Sequence, residues 1–246
     1  MAGILFIISA PSGSGKSTLV SEVRRLVEGL EFSISYTTRE PRGSEENGRE
    51  YWFTNRAEFE RMIAAGEFLE WAEVFGSNYY GTGMSALEHA RKAGHDLLLD
   101  IDVQGALQVM KKLPQAVSIF ILPPSPQVLE RRLRNRSQAE GVHDEAVIAA
   151  RLKQARQELM HLDNYKYALV NDELDQAATE LRAIVLDARG EDGQESALAA
   201  SCRTAAMNPR LGAALKSFGV AETSGGKQGD DTPGGSLRNA QGSELG

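Results

Sequence analysis

Near the start of the chain stands Ile4-Leu5-Phe6-Ile7-Ile8-Ser9-Ala10-Pro11-Ser12-Gly13-Ser14-Gly15-Lys16-Ser17-Thr18, in which a wholly apolar run passes into a loop of small residues. The apolar run predicts a short strand that is buried on both faces, as in the middle of a parallel sheet. After the loop, Leu19, Val23, Leu26 and Val27 recur with the spacing of an amphipathic helix. Strand, small-residue loop and helix in this order are typical of a phosphate-binding P-loop.

The loop has the chemistry that a phosphate site needs. Gly13 and Gly15 let successive backbone N–H groups converge on an anion, and the positive end of the following helix points to the same place. Lys16 adds a full charge for the outer phosphates, and Ser17 offers a hydroxyl to Mg²⁺. Ala10 stands where the strict motif has glycine, which the loop tolerates if that residue keeps a negative φ. The alternative is a Gly/Ser turn with an incidental lysine. It does not explain why a strand, the glycines, Lys16-Ser17 and a helix follow one another in the order of a P-loop. The predicted phosphate-binding residues are Ser12, Gly13, Ser14, Gly15, Lys16, Ser17 and Thr18.

Length and composition set the limits of the interpretation. The 246 residues suit one domain of ordinary size, or one domain with an appendage, and a hydrophobic content of 41% suffices for a substantial core. The net charge of −7 argues against a general nucleic-acid surface. The single cysteine, Cys202, excludes an internal disulfide, and no stretch is apolar over the length of a membrane span. We expect the protein in the cytoplasm, with no membrane or nucleic-acid partner.

The order of predicted elements indicates a three-layer α/β fold around a parallel sheet. Buried strands are expected over 97–102, 117–122 and 167–170, and helices over 84–93, 104–112 and 173–188. The segment 32–83 is more polar, with short strands at 31–36, 51–53 and 68–75, a helix capped by Asn55, and a turn over 76–83. It predicts a smaller lobe inserted into the main fold.

The composition changes from Gly190 onward. Residues 190–246 hold 11 of the 24 glycines and lack Tyr, Trp and Ile. Such a sequence buries too little apolar surface to offset its ordering entropy, so we predict a disordered Gly/Ser-rich tail. A weak helix within 197–220, limited by Pro209, is the local exception.

A second group of residues suits a phosphate monoester. Arg39 and Arg42 share one polar loop, Tyr51 follows it, and Tyr80 lies in the predicted turn. Two guanidinium groups and two phenol donors can bind a phosphate dianion. Taken one by one, these residues are also explained as solvated arginines and core tyrosines.

Charged residues elsewhere suit phosphoryl transfer. Arg132, Arg136 and Arg151 lie on two successive predicted helices, from which they could place positive charge over a migrating phosphoryl group. Asp100 and Asp102 end a buried strand and suit outer-sphere Mg²⁺ binding or substrate contact, or they are solvated acids at a strand end. The four histidines have no ligand spacing and predict no further metal site.

These residues together identify a family resemblance. Over residues 3–188 the sequence closely resembles guanylate kinases. The matching stretches are 9–18, 33–42, Tyr51, 68–82, 99–105, 123–136, Arg151 and 170–174.

The resemblance implies a P-loop core within a domain over 1–189, a GMP-binding lobe over about 32–83 and a helical lid over about 126–160. It implies transfer of a phosphoryl group from ATP, bound with Mg²⁺, to GMP or dGMP. The residues it implies for GMP are Ser35, Glu70 and Thr82 at guanine, with Asp100 and Asp102 beside it, and Arg39, Arg42, Tyr51 and Tyr80 at the phosphate. It places Asn171 and Asp172 near adenine, gives Ser17 to Mg²⁺ with Asp100 as an outer-sphere partner, and assigns transfer to Lys16, Arg42, Arg132, Arg136 and Arg151.

Two departures and two alternatives accompany the resemblance. The family's turn usually runs Gly-Asn-Tyr-Tyr-Gly, whereas here Ser77 is inserted before Asn78, and the tail after 188 lies outside the resemblance. One alternative is a guanylate-kinase-like binding module without catalysis, but such modules have eroded P-loops. The other is a regulatory GTPase, since 102–105 fits D-x-x-G, but the chain has no Asn-Lys-x-Asp motif. The sequence leaves the oligomeric state open.

Overall fold

A computed structural model describes residues 3–74, 78–139, 145–191 and 193–220. Its strands are β1 (Leu5–Ser9), β2 (Leu30–Phe32), β3 (Tyr36–Thr37), β4 (Trp52–Phe53), β5 (Phe68–Val74), β6 (Asn78–Gly83), β7 (Asp96–Asp100), β8 (Val117–Leu122) and β9 (Tyr167–Val170). Its α-helices are α1 (Lys16–Leu26), α2 (Arg56–Ala64), α3 (Met84–Ala93), α4 (Val103–Lys112), α5 (Pro126–Ala139), α6 (Glu145–Leu159), α7 (Leu174–Arg189), α8 (Gly193–Ser201) and α9 (Pro209–Ser217).

The main sheet is parallel, with strand order β2-β7-β1-β8-β9. The apolar run that opens the chain forms its central strand, and all five residues of β1 are buried. Successive side chains of a strand point to opposite faces, so Ile7 joins the core on one face and Ile8 the core on the other. Helices α1, α7 and α8 cover one face, and α3, α4, α5, α6 and α9 cover the other. This confirms the predicted three-layer α/β fold.

A second, mixed sheet of four strands has the order β4-β3-β6-β5 and packs its own small core with α2. Asn55 caps α2, as predicted, by accepting a hydrogen bond from the backbone N–H of Glu58. The predicted strand over 31–36 is instead two short strands, β2 and β3, one in each sheet. This part of the chain falls within the predicted inserted lobe.

The predicted turn over 76–83 is wrong for its described part, because residues 78–83 form strand β6, antiparallel to β5. Glycine there suggested a turn, but Gly81 has a steric role. A Cβ at Gly81 would lie 2.9 Å from the carbonyl oxygen of Glu70 on β5. Residues 75–77, which include the inserted Ser77, lie outside the described residues.

The predicted disorder is wrong for 193–196, which begin α8, and the weak helix allowed within 197–220 is instead parts of two helices. Residues 193–220 fold onto the core as α8, a 3₁₀ turn (Thr204–Ala206) and α9. Leu211, Leu215 and Phe218 are at most 7% exposed. Pro209 does not limit α9 but begins it, where its fixed φ suits the first turn, and the Asn208 side chain caps the N–H of Leu211. The low average hydrophobicity of 190–246 concealed this apolar segment, and residues 221–246 lie outside the described residues.

The helix predicted over 84–93 is confirmed with those bounds as α3, and Gly94 ends it with a φ of 73°. Among the residues described, no helix is both long and apolar enough to cross a membrane.

Candidate active site

The P-loop joins β1 to α1 in the predicted conformation. Gly13 and Gly15 have φ values of 88° and 83°, which glycine adopts without strain. Among the described residues, Met207 is the one non-glycine residue with a positive φ, so Ala10 meets the condition on which the loop prediction depended. Helix α1 begins at Lys16 and presents its unpaired N–H groups to the loop.

Two acidic residues lie at the carboxyl end of β7 beside the P-loop, Asp100 as its last residue and Asp102 just after it. The Lys16 ammonium group pairs with the Asp100 carboxylate and also donates a 3.2 Å hydrogen bond to the carbonyl oxygen of Ile101. Asp102 caps α4 by accepting a 2.7 Å hydrogen bond from the N–H of Gly105. Lysine and both carboxylates thus meet at the carboxyl end of the central strands, where α/β folds of this type bind ligands.

Asn171 links three parts of the site. Its side-chain amide donates to the carbonyl oxygen of Ser14 at 2.8 Å, and Arg132 on α5 donates to the carbonyl oxygens of Ser14 and Asn171, both at 3.1 Å. A Cβ at Gly15 would lie 2.5 Å from the Asn171 amide nitrogen, so glycine permits the close approach as well as the positive φ. The P-loop, the end of β9 and helix α5 are therefore held together by one hydrogen-bond network.

A basic and aromatic group lies on the second sheet. The Arg39 guanidinium is 2.9 Å from the Glu45 carboxylate and 5.4 Å from the centre of the Tyr51 ring. Tyr51 packs edge-on against Tyr80 with the ring centres 5.8 Å apart. Glu45 also accepts a hydrogen bond from the N–H of Arg42. Burial raises the pKa of Tyr51, so the phenol stays protonated and can donate to an anion.

Glu70 is a buried acid on β5, directly opposite Thr82 of β6. Only 4% of the residue is exposed, and this burial raises the pKa of Glu70 from 4.5 to about 7, with a further upward contribution from the negative charge of Asp102. A Cβ at Gly105 would lie 2.5 Å from Glu70 Oε2. The missing side chain at Gly105 therefore makes room for the Glu70 carboxylate.

The arginines of α5 and α6 divide into two groups. Arg132, Arg136 and Arg151 line the cleft above the P-loop, and Arg151 donates to the hydroxyl of Ser137 on α5 at 3.2 Å. Arg134 points to the other side of α5, where it pairs with Glu130 and Glu145.

One open cleft of about 1410 Å³ connects the P-loop, the second sheet and helices α5 and α6. Of the predicted site residues, the following line it: Ser12, Gly13, Ser14, Gly15, Lys16, Ser17, Thr18, Ser35, Arg39, Arg42, Tyr51, Glu70, Tyr80, Asp100, Asp102, Arg132, Arg136, Arg151, Asn171 and Asp172. Thr82 does not line it but lies buried behind Glu70.

Sequence reasoning missed three residues of this site. Glu45 orders the two arginines of the second sheet, Gly105 makes room for Glu70, and Glu158 on α6 faces the cleft with its pKa raised by burial. Glu45 lies in the same loop as Arg39 and Arg42, which was a usable signal. Gly105 ends the D-x-x-G stretch 102–105, but that pattern does not indicate a contact with Glu70, and no local pattern marks Glu158. Both roles arise from contacts between distant segments.

Comparisons with known proteins agree with this geometry. A sequence model of the guanylate kinase family matches residues 3–188. Similar proteins include the guanylate kinase of Koribacter versatilis, 59% identical over 189 residues covering 77% of this chain and 80% of that protein. The guanylate kinase of Escherichia coli K12 is 49% identical over 185 residues, covering 74% and 87%. The crystal structure of guanylate kinase from Anaplasma phagocytophilum superposes with a TM-score of 0.58 at 32% identity, covering 90% of this chain and 97% of that one. The chain belongs to the guanylate kinase family, whose members use ATP to phosphorylate GMP to GDP.

Proposed function

We propose that the cleft transfers the γ-phosphoryl group of ATP to GMP or dGMP, with ATP on the P-loop and the monophosphate on the second sheet. The observation that carries the proposal is the single cleft that joins a P-loop to a buried carboxylate and a pair of arginines. A phosphate-binding loop alone indicates only that the protein binds a nucleotide. The second basic site, on the far side of the cleft, supplies a place for a phosphate acceptor.

On the acceptor side, Arg39, Arg42, Tyr51 and Tyr80 bind the GMP phosphate. The Arg39 guanidinium is already oriented by Glu45 and the Tyr51 ring, so little side-chain freedom is lost when a dianion binds. Ser35, Asp100 and Asp102 complete the acceptor pocket around guanine. Thr82, buried opposite Glu70 on β6, supports the guanine site from behind the pocket wall. These contacts use the base and the phosphate, which explains why we expect dGMP to serve as well as GMP.

Glu70 selects guanine. Guanine presents N1–H and an exocyclic NH₂ side by side, and a carboxylate accepts from both at once. Adenine presents an unprotonated N1 on that edge, so the carboxylate would meet a lone pair. A site built to hydrogen-bond a group can reject an analogue that lacks it by roughly 10⁴–10⁵-fold.

On the donor side, the N–H groups of 13–18 and the Lys16 ammonium bind the ATP phosphates, and Asn171 and Asp172 lie beside adenine. Lys16 exchanges its Asp100 partner for phosphate oxygens when ATP binds. Arg132, Arg136 and Arg151 stabilise the charge that spreads over the migrating group, because they approach the same cleft from the helices above it. Arg42 lies on the opposite wall and orients the accepting phosphate.

The donor set also fits Mg²⁺ bound with ATP. Ser17 and Asp100 offer oxygen atoms beside the P-loop, and Mg²⁺ takes most of its ligands from phosphates and water. Among the residues that the structure describes, no cluster of three His, Cys, Asp or Glu side chains could hold a metal by itself, so the ion would arrive with the nucleotide. When bound, Mg²⁺ neutralises charge on the β- and γ-phosphate oxygens.

The test is ADP formation from ATP with GMP, dGMP, AMP or no acceptor, in wild type and in Glu70→Ala. We expect turnover with GMP and dGMP only, and in Glu70→Ala a KM for GMP at least ~10-fold higher with the KM for ATP near normal. Glu73→Ala is the matched control, because Glu73 lies on the same strand but is exposed and outside the cleft. Full preference for GMP in Glu70→Ala would assign guanine recognition to another residue.

A further inference from the structure

The described part of the C-terminal extension, residues 193–220, covers the exposed edge of the main sheet. Strand β9 is the last strand of that sheet, so its outer backbone groups have no partner strand. The extension supplies the partners. The N–H of Ala168 donates to the carbonyl oxygen of Cys202 at 2.9 Å, and the N–H of Thr204 donates to the carbonyl oxygen of Lys166 at 3.0 Å.

The extension crosses from one face of the sheet to the other at this edge. Helix α8 contributes Ala199 to the core shared with α1 and α7. Helix α9 contributes Leu211 and Leu215 to the core shared with α3 to α6. Residues 202–204 run along β9 between the two helices, so the extension is fixed on both faces and at the edge.

Arg210 completes the row of contacts along β9. It lies in the first turn of α9 and donates a 2.9 Å hydrogen bond to the carbonyl oxygen of Val170, the last residue of the strand. The same guanidinium pairs with Glu180 on α7, a carboxylate that is only 8% exposed. Because a buried carboxylate needs a cation, Glu180 holds the arginine in the orientation that reaches Val170.

The bonded carbonyl belongs to the peptide unit that leads into Asn171. The N–H of that unit donates to the carbonyl oxygen of Leu122 at 2.8 Å. The Asn171 side chain in turn donates to Ser14 in the P-loop, and its carbonyl oxygen accepts from Arg132. Arg210 therefore fixes one side of the peptide plane that leads into Asn171, the residue whose side chain contacts the P-loop and whose own carbonyl oxygen contacts α5.

We propose that Arg210 is a positioning residue for the ATP side of the cleft, through which the extension outside the guanylate kinase match aligns Asn171 with the P-loop and α5. The inference rests on the proposed ATP role of Asn171. Without Arg210, only the hydrogen bond to Leu122 restrains the peptide plane, and Asn171 loses its fixed direction. The GMP pocket lies on the second sheet and shares none of these contacts.

The experiment measures KM for ATP at saturating GMP, KM for GMP at saturating ATP, and thermal unfolding. Arg210→Ala leaves Glu180 without its cation and threatens folding, so the double variant Arg210→Met with Glu180→Gln, which leaves no unpaired buried charge, accompanies it. Arg210→Lys tests whether charge alone suffices. The matched control is Arg182→Ala, which breaks another ion pair between α7 and the extension, Arg182 to Glu195 at 2.5 Å; neither residue lines the cleft.

For Arg210→Ala and the double variant we expect the KM for ATP to rise about fivefold or more, the effect of losing one oriented hydrogen bond. The KM for GMP should stay within ~2-fold of wild type, and Arg182→Ala should lower the unfolding temperature without moving either KM. Arg210→Lys should recover stability more than it recovers the KM for ATP, because a point charge on Glu180 does not also reach Val170.

A double-mutant cycle separates this inference from the site assignment beneath it. In an Asn171→Ala background the effect of Arg210→Ala on the KM for ATP should largely disappear, since the two residues act through one peptide unit. If Asn171→Ala itself leaves the KM for ATP unchanged, the proposed role of Asn171 fails. An unchanged KM for ATP in the folded double variant, or an equal rise in both KM values, would overturn the role of Arg210.

Discussion

At the scale of single residues, the environment of Glu70 combines recognition with a cost to stability. Its carboxylate is buried, and the pKa of about 7 means that the free enzyme carries a partly protonated Glu70 at neutral pH. Two guanine donors favour the ionised form, so binding of GMP should draw the pKa down again. Glu70, which we propose to select the base, is thus mostly ionised and able to accept both guanine donors only above a pH of about 7.

The affinity for GMP should therefore depend on pH. As the pH falls below about 7, the KM for GMP should rise, approaching tenfold per pH unit, because the protonated carboxyl cannot accept both guanine donors. Glu70→Gln should have a higher KM at pH 8 but a flatter profile. Titration of the GMP phosphate affects both proteins equally, so the difference between their profiles isolates Glu70. Parallel profiles would remove Glu70 from the pH dependence.

The stability of the fold should depend on the same titration in the opposite direction: it should fall as the pH rises, whereas GMP binding improves. The pKa of Glu70 is raised in the folded state, so its favourable contribution is complete below pH 4.5 and is lost as the pH rises through about 7. Glu70→Gln should therefore gain stability relative to wild type between pH 5 and pH 8, by at most about 3 kcal/mol. Urea unfolding without nucleotide at the two pH values measures this gain.

Gly105 tests whether Glu70 acts through its position. In Gly105→Ala the new Cβ would lie 2.5 Å from Glu70 Oε2, and the flexible carboxylate can move away at little cost to the fold. Alanine inside a helix is favoured over glycine by up to about 1 kcal/mol, so stability should hold or rise. The KM for GMP should nevertheless rise several-fold, with the KM for ATP unchanged. Gly193→Ala is the control, since a Cβ at Gly193 would meet no atom within 4 Å. An unchanged KM for GMP would show that the Glu70 carboxylate can move without weakening GMP binding.

At the scale of elements, α5 and α6 present arginines to two different environments. Arg136 lines the cleft, whereas Arg134 on the same helix pairs with Glu130 and Glu145 on the far side. Residues two apart on a helix do not face the same way, which explains this division. The pair with Glu130 follows from their i,i+4 spacing on α5. The pair with Glu145 was not predictable, because Glu145 belongs to α6 and meets Arg134 only in the folded protein.

The two arginines should differ in function accordingly. Arg136→Ala should lower kcat at least ~10²-fold with smaller changes in KM, because a positioned arginine stabilises charge mainly in the transition state. Arg134→Ala removes an ion pair whose side chains are half-exposed, and kcat should change little. Steady-state kinetics of both variants decide the matter. Equal and mild effects would refute the transfer role assigned to the cleft-lining arginines.

At the scale of the whole molecule, local sequence predicted the fold well where one pattern determines one element. The P-loop, α3 and the buried strands were confirmed because apolar runs and glycine caps have few alternative structures. The turn predicted over 76–83 was wrong for 78–83, because Gly81 allows close packing of β6 on β5. Sequence alone does not distinguish a glycine of that kind from a glycine in a turn. The extension was predicted only as a weak helix within 197–220, because its apolar residues pack against distant partners, namely both faces and the edge of the sheet.

The extension leads to the last prediction. Truncation after Arg189 should destabilise the protein, although the composition of 190–246 suggested that it would be dispensable. The cut exposes the apolar surface beneath Leu211, Leu215 and Phe218, and it leaves the outer backbone groups of β9 unpaired. Each buried side chain of this kind contributes about 1.5–3 kcal/mol, against which the ordering entropy of the segment must be set. We expect the unfolding temperature to fall by roughly 5 °C or more, with aggregation through the exposed edge.

A second truncation, after Val220, is the control for the first. Residues 221–246 contain two leucines as their only large apolar side chains, so their sequence predicts little burial. This variant should keep the unfolding temperature and the turnover of the full chain. The protein truncated after Arg189 should unfold at a lower temperature and lose turnover as it approaches that temperature. Differential scanning calorimetry measures the unfolding temperature of each truncated protein, and GMP-dependent ADP formation on the same samples measures its turnover. If truncation after Arg189 left both properties intact, the contacts of 193–220 would contribute nothing net to the fold, and the edge of β9 would need no cover.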